Sequence, residues 1–150
     1  MRLAPETSPL PRLLVLGFGL LAAVGLVFAR LMPDEPEVTG LLALLVLSES
    51  RATARHVDGR LVLLRDQDRT LWDQVLIQEG HALVRACVQR GQPGAYQLQA
   101  AIQAVHCDAA SFADTDWTQI VSLYDHLLVF LPTAVVRLNR AIAWGEVAGP

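Results

Sequence analysis

His81, His106 and His126, together with Cys87 and Cys107, are the side chain types that could hold a transition metal. No pair of them stands at the i, i+4 or HExxH spacing that sets two ligands on one helical face. His106 and Cys107 are adjacent and, on a helix, point about 100° apart. They read as ordinary packed or surface side chains, and no metal or cofactor is expected. The cysteines lie outside any CxxC motif and read as small buried hydrophobes. With no disulfide framework, a reducing compartment is favoured.

The alternating carboxylates Asp66/Asp68 and Asp114/Asp116 could serve a metal or a phosphate. Both pairs precede an expected helix, where capping already accounts for them. No GxSxG, P-loop, GxGxxG or Cys–His pattern occurs. The residues therefore give an enzyme reading nothing to stand on.

A third cluster is "VVRLNRAIAWGEV", residues 135–147. On a helix, Arg137, Arg140 and Trp144 fall on one side and Val135, Leu138 and Ile142 on another. The apolar side is expected to be core. The guanidinium stripe beside Trp144 reads either as a solvated face or as a docking surface. It could also form a bidentate clamp onto Asp125 or Glu146.

The elements that must position these residues are helical. The 150 residues are 53% hydrophobic and 18% charged, enough for one domain with a real core. The net charge of −3 and pI of about 5.7 disfavour a chain that binds DNA by itself, which would usually show a basic face. "MPDEPEVTG" breaks any preceding helix at Pro33 and Pro36 and suits the start of the next. Helices are expected over 37–55, 71–90, 95–109 and 117–131, and from Pro132 onward. Leu41, Leu42, Leu44, Leu45 and Leu47 cover most of the first one's circumference and make it central. In the second, Leu71, Val75, Ile77, Ala82, Leu83, Ala86 and Cys87 recur at helical spacing. Asp58-Gly59 is a turn signal, and Leu61–Leu64 is a short extended run. Asp66, Asp68 and Thr70 are candidate caps, as are Thr115 and Asp116. Pro132 is expected to open the last helix. Short loops make successive helices antiparallel neighbours. The class is all-α, built of antiparallel helical hairpins after an apolar N-terminal helix. Trp117, Ile120 and Tyr124 match the first-helix offsets of the tetratricopeptide repeat, whereas Thr133 and Arg137 fall at its later Ala and Phe positions. The pattern is a degenerate tetratricopeptide-like one. Packing is the default for Trp72, Trp117, Tyr124 and Trp144, and an exposed Trp would instead anchor an interface.

Residues 1–31 form a separate apolar segment, and 32–150 the helical domain. Leu13–Ala29 carries no charge over 17 positions. It reads as a membrane anchor, a signal peptide, a fully buried helix, or a start outside the native fold.

Five blocks, "LMPDEPEVTGLLALLVL", "DGRLVLLRDQDRTLWDQVLIQEG", "GQPGAYQLQAAIQAVH", "DTDWTQIVSLYDHLL" and "PTAVVRLNRAIAWGEVAGP", stand in order along the chain. Together they resemble the C-terminal tetratricopeptide-like extension of a group of extracytoplasmic-function RNA polymerase sigma factors, over about 32–150. The resemblance implies a non-enzymatic module that acts in transcription initiation through protein contacts, with sigma regions or core RNA polymerase as partner. DNA would be reached only indirectly, through sigma regions that this chain lacks. It marks Asp66, Asp68, Arg69 and Trp72, Trp117 and Tyr124, and Pro132, Arg137, Asn139 and Arg140 as family hallmarks. The family's extension continues past the position of Pro150, and a charged amphipathic helix precedes "MPDEPEV" there. The chain is thus expected to be a fragment of such a factor and cytoplasmic. The alternative is a helical scaffold anchored in the membrane through Leu13–Ala29.

Overall fold

A computed structural model describes residues 20–32 and 34–149. Among the described residues six α-helices follow one another: α1 (Leu20–Leu31), α2 (Pro36–Glu49), α3 (Gln74–Arg90), α4 (Ala95–Asp108), α5 (Trp117–Phe130) and α6 (Ala134–Ala148). Between α2 and α3 lies a minimal antiparallel hairpin, β1 (His56–Val57) with β2 (Arg60–Leu61). Asp58 and Gly59 turn it with positive φ, as their pairing in sequence suggests. The class is all-α with this one small sheet among the described residues.

Helix α2 is the axis. It packs against α1, α3 and α4, and none of its residues is exposed. That is the outcome expected of leucines on every side. Close approach depends on two glycines. A Cβ on Gly40 would lie 2.7 Å from the backbone nitrogen of Gln97 in α4, and one on Gly80 would lie 2.5 Å from Leu47 Cδ2. A larger residue at either point forces the helices apart. Glu37, in the first turn of α2, accepts hydrogen bonds from the backbone N–H groups of Tyr96 (2.9 Å) and Gln97 (3.2 Å). Helix α2 thereby caps α4, satisfying donors that α4 cannot satisfy within itself.

Three apolar clusters hold the helices together. Leu98, Ile102, Val105, Ile120, Val121, Leu127, Val136 and Ala143 join α4, α5 and α6. Leu26, Leu42, Val46 and Leu76 join α1, α2 and α3. Ala54, Trp72 and Ile77 seat the connecting segment, with Leu64 and Cys107 against them. Each fully buried aliphatic side chain contributes about 1.5–3 kcal/mol.

Several boundaries differ from expectation. Helix α2 ends at Glu49, where the Ser50 hydroxyl turns back onto the Leu47 carbonyl at 2.7 Å. Helix α3 begins at Gln74, because Asp73 accepts hydrogen bonds from the backbone N–H of Val75 and Leu76 and acts as its cap. Its buried face is Leu76, Ile77, Gly80 and Cys87, while Leu71, Val75, Ala82 and Ala86 are exposed. Pro132 does not open α6: Thr133 is the cap, and Pro132 lies one residue outside it. Of the paired aspartates, Asp68 caps a short turn and Asp116 caps α5. Asp114 instead accepts from Ser111, and Asp66 is exposed without a capping role.

The apolar segment Leu13–Ala29 falls in part outside the described residues, as does Pro33. From Leu20 onward it is helix α1, held to α2 through Leu26. No helix among the described residues is long and apolar enough to cross a membrane.

Candidate functional site

Arg69 and Trp72 form a lock. The Arg69 guanidinium donates to the backbone carbonyls of His106 (2.6 Å) and Ala109 (2.7 Å) and to Thr115 Oγ1 (3.5 Å). It thus closes the C-terminal end of α4, where a cation is favoured. The same guanidinium lies 4.5 Å from the centroid of the Trp72 ring, and Arg51 lies 5.6 Å from it. The buried indole is thus paired with two cations. These contacts fasten the 56–73 connection to the rest of the molecule.

Beside the lock is a cleft of about 640 Å³. One wall is the connecting segment, with Arg51, Arg55, Leu61–Arg65 and Gln67. The other walls come from Gln103 and His106 of α4, Trp117, Ile120 and Tyr124 of α5, and Asn139, Ile142, Ala143 and Glu146 of α6. Trp117 meets His106 edge-on at 5.3 Å and Phe112 at 5.0 Å. Burial, with Arg51 and Arg69 alongside, holds the His106 imidazole down to about 4, so it is neutral at pH 7. Burial raises Tyr124 above the ordinary phenol range, an effect opposed by a hydrogen bond with Asn139. Arg51 is buried, donates to the Gln103 side-chain oxygen, and is held below its usual basicity by burial. Arg65 closes the mouth, 3.1 Å from Glu146 and 5.3 Å from the Phe112 ring centroid.

The sequence-derived candidates therefore separate. Trp117, Tyr124 and Asn139 line the cleft, and Arg69 and Trp72 support it from behind. Asp66, Asp68 and Pro132 do not line it. Arg140 donates through Nε to Asp125 at 2.5 Å, one of the two partners expected, and this hydrogen bond is the main cause of the lowered Asp125 pKa. Arg137 is exposed.

The expected core face of α6 is wrong. Val135, Leu138 and Ile142 are 66%, 61% and 54% exposed, and Trp144 is 54% exposed. The residues that α6 buries are Val136 and Ala143, which join the α4–α5 cluster. Two stripes on this helix are apolar, and the smaller faces inward. Sequence reasoning also missed Arg51, Gln103, Arg65 and Glu146 as cleft residues. Arg51 falls within the expected 37–55 helix, with no local signal that it turns inward.

Both thiols are free and removed from solvent to different degrees, Cys87 buried and Cys107 half-buried, and burial raises the pKa of each. His81 lies 3.5 Å from Asp108, and His126 is exposed.

Residues 21–88, which run from α1 through most of α3, match the model of a family of unknown function, DUF6596. Over 122 residues, 81% of the chain, the sequence is 48% identical to an uncharacterized protein of Rhizobium meliloti (strain 1021). That alignment covers 29% of the relative, so the chain spans under a third of its length. No solved structure matches the chain.

Proposed function

We propose that this chain is a non-enzymatic interaction module of the kind that extends extracytoplasmic-function sigma factors. It acts in transcription initiation by binding protein, either the sigma regions or core RNA polymerase. Promoter DNA is reached through the sigma regions and not by this domain. The observation that carries the reading is the outer face of α6. Val135, Leu138 and Ile142 recur at i, i+3 and i+7, all more than half exposed, while Trp144, also more than half exposed, stands on the opposite side of the helix with Arg137. A large apolar stripe left open on the surface of a folded domain marks a contact face for another protein. The net charge of −3 supports protein over nucleic acid as the partner. The five sequence blocks supply the class of partner. In this reading α5 and α6 form a tetratricopeptide-like hairpin that stacks against the next helical element.

The test is a titration of the chain against purified sigma regions and, separately, core polymerase. Val135→Ser with Leu138→Ser should weaken binding to one of them at least roughly tenfold while leaving the unfolding midpoint unchanged, because both side chains are exposed. Equal affinity of variant and parent, or no binding to either partner, contradicts the reading.

A second reading rests on α1, where Val27, Phe28 and Leu31 are exposed. If the apolar run from Leu13 inserts in a bilayer, the chain is a membrane-anchored scaffold. Recovery in the detergent-free soluble fraction would remove that reading, and retention in the membrane pellet after a high-salt wash would favour it.

A further inference from the structure

We propose that the cleft between the 51–67 segment and helices α4–α6 binds a small organic carboxylate with an apolar or aromatic body. This site shares Ile142 with the α6 docking face and otherwise uses different residues.

The first reason is charge. Arg51 is buried, yet among the described residues it has no carboxylate partner: its guanidinium meets the Gln103 amide oxygen and the Trp72 ring, and its Nε has no acceptor. Arg55 and Arg69 stand nearby and add charge of the same sign. Burying an uncompensated cation is costly, and an anion beside Arg51 offsets that cost. Glu146 is the one acid among the described residues that line the cleft, and it is engaged with Arg65 at the mouth.

The second reason is unused hydrogen-bonding capacity. His106 Nδ1 and Gln67 Oε1 are buried without partners, and both residues line the same cleft. Buried polar atoms are normally satisfied, and His106 Nδ1, in the tautomer that carries its proton there, can donate to a carboxylate, whereas Gln67 Oε1 only accepts and is not served by one.

The third is size and wall chemistry. A volume of about 640 Å³ falls in the range that takes a small molecule. Trp117, Ile120 and Ile142 offer aromatic and aliphatic surface across from the arginines. A bare inorganic anion would leave those walls unused, and a neutral apolar ligand would leave Arg51 uncompensated.

Tryptophan fluorescence titrated with phenylacetate tests the site, with phenylacetamide, acetate and inorganic phosphate as comparisons. The expected result is a saturable change with phenylacetate and none with the other three at the same concentrations. Glu146→Gln removes the competing acid and frees Arg65, so it should tighten phenylacetate binding several-fold. Arg51→Gln should abolish it. If Arg51→Gln does not fold, Glu146→Gln still decides, since both of its residues lie at the open mouth. The proposal is overturned if phenylacetate gives no saturable response. It is likewise overturned if the amide, acetate or phosphate binds as well, if Glu146→Gln leaves binding unchanged or weaker, or if folded Arg51→Gln binds like the parent.

Discussion

At the scale of single residues, His106 shows how burial turns a common side chain into a pH-dependent one. Its folded pKa of about 4 lies below the ordinary 6.5, so the unfolded chain binds the proton first as pH falls. The stability associated with neutral His106 is complete above pH 6.5 and is lost progressively between 6.5 and 4. Between pH 7 and pH 5 this amounts to about 2 kcal/mol. Urea unfolding at the two pH values should show that loss in the parent and a smaller one in His106→Gln; equal losses would mean the imidazole is not held neutral by its surroundings. Trp72 makes a second case. It is 4% exposed and paired with Arg51 and Arg69. Trp72→Ala should cost about 3–5 kcal/mol in denaturant unfolding, and a loss under about 1 kcal/mol would rule out its role in fastening the connection. Its burial was legible as the default for a large aromatic. Its partners were not, because they lie 21 residues upstream in Arg51 and 3 upstream in Arg69, and no local pattern links all three.

At the scale of elements, helix existence and order were readable from apolar periodicity and from breakers such as "GQPG". Caps moved the boundaries. Asp73 rather than a residue near Leu71 starts α3, since an aspartate that accepts from two backbone N–H groups stops the helix from extending backward. The α6 error has a specific cause. Val135, Leu138 and Ile142 form a genuine stripe, but so do Val136 and Ala143, and a helical wheel does not say which stripe meets α5. Small side chains allow closer approach, and here the structure buries Ala143 at 2% exposure while leaving Ile142 open. The central glycines test the packing directly. Gly80→Ala puts a methyl group 2.5 Å from Leu47, a fully buried side chain that has little room to yield. It should destabilise by about 1–3 kcal/mol in spite of alanine's better helix propensity. A stabilised Gly80→Ala would show that α2 and α3 are less closely packed.

At the scale of the whole molecule, the class and the central place of α2 follow from composition and leucine patterning. The cleft does not, because it joins residues from four separate stretches of chain, from Arg51 to Glu146. The function proposed for the chain depends on its outer surface: a helical scaffold whose last helix offers apolar surface to another protein. Hydrogen exchange measured on the free chain, and then with purified sigma regions or core polymerase, locates that surface without any substitution. The account predicts slowed exchange along residues 134–148 when the partner is added, with α2 unchanged. Slowed exchange confined to α1, or no change anywhere with either partner present at saturating concentration, would contradict it.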